Sequence, residues 1–167
     1  GIFMTHIIGI RREDKNKWEQ RVPLIPDHIK ELQEKHDISV LIQPSKIRAY
    51  KDEVYQKAGA IITEDLSRAS VVFAVKEIPI SFFQENKTYI FFSHTIKGQS
   101  YNMPMLKKMM ELNCTLIDYE RIVDENNRRL IFFGRYAGIA GMVDTLWGFG
   151  KRLEKNLDIK NPFSKIS

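Results

Sequence analysis

Two apolar runs in this chain end in residues that a buried strand does not need. VVFAV, residues 71–75, is followed by Lys76, and TYIFF, residues 88–92, is followed by Ser93 and His94. An amine leaving a dry strand end has its charged form disfavoured by burial, which makes it a proton acceptor. An imidazole changes charge near neutral pH and serves as acid or base. Ligands of open parallel α/β sheets lie outside the carboxyl ends of the strands. Lys76 and His94 are eighteen residues apart, about one strand-helix-strand unit, so they fall at neighbouring strand ends. Each also has a plainer reading, Lys76 as a solvated charge and His94 as a core histidine with its hydrogen bonds satisfied.

Arg21, in EQRVPLIP, stands just before an apolar run that fixes its backbone. A fixed planar guanidinium matches a carboxylate. Lys97 and Arg129 add positive charge, and if these basic groups converge their ligand carries several carboxylates. Glycines Gly138, Gly141, Gly148 and Gly150 do not form G-x-G-x-x-G after a strand, so there is no dinucleotide fingerprint. No cluster of Cys and His has metal-ligand spacing, and no Ser/His/Asp order stands out. The single Cys114, in the apolar run NCTLID, reads as a small buried hydrophobe.

The elements that must hold these residues alternate. Strands are expected at residues 6–11, 39–43, 60–63, 71–75, 88–92 and 114–118. Helices are expected from Pro26 to about His36, from Asp52 as cap through Ala58 with Gly59 as a left-handed stop, and from Pro104 through MLKKMMEL. The methionines of that last helix lie on one face and read as core. IPISFFQENK reads as a loop and short helix. Residues 120–133 read as a hairpin about the turn DENN, and residues 138–157 as one long helix. The expected fold is α/β: a Rossmann-like, doubly wound, mostly parallel sheet with helices on both faces, plus the hairpin and the long helix.

With 167 residues and 43% hydrophobic content, the chain suits one domain or one large lobe. Its formal charge of +5 arises from 26 basic and 21 acidic residues interleaved along the chain, without a basic stripe, which argues against nucleic acid. No apolar run reaches transmembrane length. The opening GIFMTH has the features of neither a signal peptide nor a clear transit peptide.

Seven segments, IGIRREDKNKWEQRVPLIPDHIK, VLIQPS, KAGAIITEDLSRA, AVKEIP, FFSHTIKGQ, LIDYERIVD and FGRYAGIAGMVDTLWGFGKRL, resemble the lysine-ketoglutarate reductase part of alpha-aminoadipic semialdehyde synthases. More distantly they resemble saccharopine dehydrogenases and the alanine dehydrogenase and transhydrogenase N-terminal domain. The resemblance covers nearly the whole chain in order. It implies an oxidoreductase that joins lysine to 2-oxoglutarate and reduces the imine to saccharopine with NADPH, or runs the reverse with NAD. It also implies that Lys76 and His94 are the catalytic lysine and histidine, that Arg21 holds a substrate carboxylate, and that Lys97 and Arg129 bind substrate. The resemblance further implies that residues 1–137 are the substrate-binding and catalytic lobe and that residues 138–157 lead toward a dinucleotide-binding lobe, absent before the end at Ser167, where the cofactor would mainly sit, so the isolated chain is expected to lack hydride transfer. Two alternatives stand beside this: an alanine dehydrogenase-type lobe, and a non-catalytic amino-acid-binding or regulatory domain. An animal source implies a mitochondrial location and other sources a cytoplasmic one; assembly into a homo-oligomer stays open.

Overall fold

The strands that carry Lys76 and His94 lie inside one parallel sheet. A computed structural model describes residues 6–95, 102–122 and 126–127. Its strands are β1 (His6–Ile10), β2 (Ile38–Ile42), β3 (Ile61–Ile62), β4 (Val71–Phe73), β5 (Thr88–Phe91) and β6 (Thr115–Asp118). Helices α1 (Pro26–His36), α2 (Asp52–Lys57) and α3 (Met103–Glu111) follow β1, β2 and β5, and a turn of 3-10 helix at Ile80–Phe82 follows β4. The strand order is β3-β2-β1-β4-β5-β6 and every described pairing is parallel, so the chain reverses direction across the sheet between β1 and β4.

Alternation along the strands divides the core between two faces, as period-two side chains require. Ile8, Ile10, Val40, Ile42, Val71, Phe73 and Ile90 pack with Ile29 and Leu32 of α1 and Tyr55 of α2. Leu41, Val72, Tyr89 and Phe91 pack on the other face with Phe83 and with Met105 and Met109 of α3. Both faces of the sheet are therefore covered, as the doubly wound reading expects, and the near-continuous apolar runs follow from burial on both sides. Met105 and Met109 belong to the core, whereas Met110 of the same helix is exposed.

Local chemistry sets the ends of the elements. Pro26 opens α1 at a position where its missing N–H costs nothing, and His28 Nδ1 accepts the N–H of Ile25 at 3.3 Å. Gly59 follows α2 with φ of +107°, and its carbonyl accepts from Gln33 Nε2 at 2.6 Å, so the turn after α2 is tied to α1. Three expectations change. Asp52 is the first helical residue and not the cap, which is Lys51; its carboxylate accepts from the Ser45 N–H at 3.1 Å and pairs with Arg48. Cys114 is half-buried just before β6, where its thiol donates to the Gln84 carbonyl at 3.1 Å and burial raises its pKa. The hairpin expected over 120–133 starts as a turn of 3-10 helix, Tyr119–Arg121, and not as a strand; most of the rest of it and all of the helix expected over 138–157 lie outside the described residues.

Candidate functional site at the carboxyl ends of the strands

The reversal of strand order opens a gap beyond the carboxyl ends of β1 and β4, the usual place for a ligand in such sheets. Arg11 N donates to the Phe73 carbonyl at 2.9 Å, and the chain then leaves the sheet in a loop, residues 11–25, that crosses these ends. The loop is pinned at several points. Val22 and Leu24 are buried, the Tyr55 hydroxyl donates to the Leu24 carbonyl at 2.7 Å, and the Ala49 N–H donates to the Gln20 carbonyl at 2.9 Å.

Within the loop, Glu13 turns back into the gap. Its carboxylate accepts the Val75 N–H at 3.2 Å and the Lys76 N–H at 2.6 Å. Only 9% of Glu13 is exposed, and burial raises its carboxyl pKa to about 7, opposed by the two N–H groups and by Arg11. A second buried polar contact supports the same strand end, where the hydroxyl of fully buried Tyr119 donates to the Ala74 carbonyl at 2.9 Å.

One strand further on, His94 is exposed and carries φ of +55°. Among the described residues, the other non-glycine residues with positive φ are Asp37, Asn86, Asn113 and Asn127, whose residue types, with short polar side chains, tolerate that region. Around His94 the backbone is held by a buried network. Asp118 Oδ2 accepts the Ser93 N–H at 2.9 Å and its hydroxyl at 2.5 Å, and Asn102 Nδ2 donates to the carbonyls of Ser93 and His94 at 3.1 and 2.9 Å. Ser93, Asn102 and Asp118 are each under a tenth exposed. A left-handed residue persists when its surroundings over-determine it, and such residues gather at functional sites.

Arg21 sits in the loop beside a solvent-open cleft of about 260 Å³, whose wall includes Arg11, Arg12, Glu13, Glu19, Arg21 and Arg48. Its guanidinium is held by Glu19, with Nη2 to Oε1 at 2.5 Å and Nε to Oε1 at 2.9 Å. The apolar run alone therefore does not fix it. Each cleft arginine has a carboxylate neighbour: Asp14 for Arg11, Glu64 for Arg12, Glu19 for Arg21 and Asp52 for Arg48. Repulsion among these cations is thus relieved inside the protein, and it does not by itself demand a polyanionic ligand.

The candidate residues divide accordingly. Lys76 is half-buried beyond β4 and His94 lies beyond the adjacent β5, as their spacing predicts. Arg21 and Glu13 line the same cleft, and Glu13 also bonds the Lys76 backbone. Lys97 and Arg129 lie outside the described residues. Glu13 was missed because RREDKNKWEQR reads as a solvated charged loop, and only the placement of β1 beside β4 reveals its role. Asp118 carries the very signal used for Lys76, a charged residue ending an apolar strand.

The fold is thus an open parallel α/β sheet with buried carboxylates, arginines, Lys76 and His94 beyond the carboxyl ends of its strands. Residues 9–140 match the family described as Alanine dehydrogenase/PNT, N-terminal domain, and the chain belongs to that family. It is 45% identical over 153 residues to Alpha-aminoadipic semialdehyde synthase, mitochondrial, of Rattus norvegicus, an alignment covering 92% of this chain and 16% of that protein. It is 41% identical over 151 residues to Alpha-aminoadipic semialdehyde synthase of Arabidopsis thaliana, covering 87% and 14%. To a Saccharopine dehydrogenase [NAD(+), L-lysine-forming] of Candida glabrata it is 30% identical over 168 residues, covering 93% and 44%. The chain thus spans about a sixth of the length of the rat relative and under half of the yeast one.

Proposed function

We propose that this chain is the substrate lobe of a saccharopine-forming oxidoreductase of lysine breakdown. The observation that carries the reading is the 45% identity that runs through nearly the whole chain to a mitochondrial alpha-aminoadipic semialdehyde synthase. The site geometry supports it: Arg21 and the buried Glu13 line one cleft, and Glu13 holds the Lys76 N–H at 2.6 Å.

In this reading Arg21, prearranged by Glu19, takes a substrate carboxylate as a planar fork. Lys97 and Arg129 contact the remaining carboxylates of saccharopine. The amine of lysine adds to the ketone of 2-oxoglutarate, and Lys76 and His94 carry the protons as the carbinolamine loses water to give the imine. The order in which the two act is left open by their symmetrical placement on adjacent strand ends. Residues at the switch point do not suit a dinucleotide: where a nucleotide-binding turn offers glycine N–H groups to a pyrophosphate, this chain places the buried Glu13 carboxylate. NADPH, or NAD, is accordingly assigned to a second lobe, toward which residues 138–157 would lead, and hydride transfer needs both lobes. For an animal source the location is mitochondrial, after the mammalian relatives.

Calorimetric titration with saccharopine, 2-oxoglutarate, lysine and alanine tests the reading. Saccharopine or 2-oxoglutarate should release heat that disappears in Arg21→Ala. Heat from alanine alone would transfer the lobe to the alanine dehydrogenase type. Silence from all four at millimolar concentration would overturn a preformed carboxylate site.

A further inference from the structure

We infer that Glu13 is the positioning residue of Lys76, supplying from the first loop the acceptors that β1 no longer offers to the end of β4. The sheet register gives the reason. Ala74 N–H is directed at the Ile90 carbonyl of β5, so the N–H of Val75 points to the opposite, β1 side. On that side β1 has ended at Ile10, and the last ladder bond is from Arg11 N to Phe73 O. Two buried or half-buried N–H groups would be left without acceptors, a costly arrangement. Both carboxylate oxygens of Glu13 approach the Val75 N–H at 3.2 Å, and one also takes the Lys76 N–H at 2.6 Å, although Glu13 is more than sixty residues away in sequence. The Lys76 N–H is thereby held by a side chain, while the carbonyl of the same peptide, that of Val75, accepts the Phe92 N–H just beyond β5 at 3.0 Å.

A side-chain acceptor brings a property that a strand lacks, because it can take up a proton. Among the described residues, the charged groups that act on it are Arg11 and Glu19 on its own loop; Tyr119, just past β6, stays neutral, its hydroxyl pKa raised well above normal. Burial and Glu19 favour the protonated acid, while Arg11 and the two N–H groups favour the carboxylate, which places the exchange at about pH 7. A carboxylate holds both N–H groups through charge-assisted bonds; the neutral acid gives up an acceptor position to its own proton. Lys76 is therefore held more firmly above neutrality than below it.

The role of Lys76 rests on the proposed function, but the hold upon it does not, and the test separates the two. In the isotope-labelled chain, the amide proton shifts of Val75 and Lys76 should follow one titration curve with its midpoint near 7, matching the midpoint of the Glu13 carboxyl carbon. Both amide curves should flatten in Glu13→Gln. Flat amide shifts in the wild-type chain, or curves that survive Glu13→Gln, would overturn the inference. The wild-type carboxyl titration needs no variant, so a midpoint near 4 would overturn it even if Glu13→Gln failed to fold. As a readout beyond structure, affinity for saccharopine should carry the same inflection and lose it in Glu13→Gln; affinity indifferent to pH would reduce Glu13 to a structural acceptor and end the positioning role. Saccharopine failing to bind at any pH, with the amide curves present, would count against the proposed function and leave the hold on Lys76 standing.

Discussion

Replacing His94 by glycine and, separately, by alanine turns its backbone geometry into a measurement with a sign. At a position with ordinary negative φ, glycine is less stable than alanine by about 0.5–1 kcal/mol, because it has more conformational freedom to lose. His94 has φ of +55°, where a side chain bearing Cβ costs about 1–2 kcal/mol and glycine costs nothing. The strain relieved exceeds the entropy lost, so His94→Gly should be more stable than His94→Ala by about 0.5–1 kcal/mol. The side chain is exposed, so neither variant opens a core cavity that would obscure the comparison. Urea unfolding of the two variants, with equal slopes checked first, reads the difference directly. If alanine proves the more stable, the left-handed turn is not formed in solution, and the network around Ser93 does not do what its geometry implies.

Asp118→Ala strips the acceptor from the buried N–H and hydroxyl of Ser93, and from the Glu120 N–H at 2.9 Å, and should cost about 2–4 kcal/mol in the same assay, with Asp118→Asn costing less. For Glu13 the folded pKa is raised from 4.5 to about 7, so the native state binds the extra proton between those values. The stabilisation from this group is fully present below pH 4.5 and lost as pH rises to 7, by at most about 3 kcal/mol; comparison of unfolding at pH 5 and 7 should show Glu13→Gln with the smaller loss. Gly59→Ala would set a Cβ 1.8 Å from Gln33 Oε1 at φ of +107°, and thermal unfolding should report a loss of about 2 kcal/mol that Gln33→Ala relieves only in part, since the backbone strain remains.

The sheet could be read from the sequence because strands covered on both faces are nearly pure apolar runs, as in IIGI, VVFAV and TYIFF, while the strand from Ser39 to Gln43 was read from its alternation. The same rule overshot where edge position shortened pairing, so that residues 60–63 keep only Ile61–Ile62 in the sheet. Lys76 and His94 were visible as polar residues at the ends of apolar runs. Asp118 carried the same signal at the end of TLID, whereas Glu13 and Asn102 carried none, because their roles come from contacts across the fold: Asn102 reaches Ser93 by folding the start of α3 back on β5, and Glu13 reaches Lys76 only once β1 lies beside β4. Arg21 was expected to be fixed by the apolar run beside it; Glu19, which holds its guanidinium, looked in the sequence like one more solvated charge.

Chemical-shift mapping of saccharopine onto the labelled chain tests the central claim most directly, that one ligand site joins the first loop to the ends of β4 and β5. The account predicts that signals of Arg21, Lys76 and His94 move together along one saturable curve. Movement confined to one of these three positions, or centred elsewhere on the protein, would contradict it.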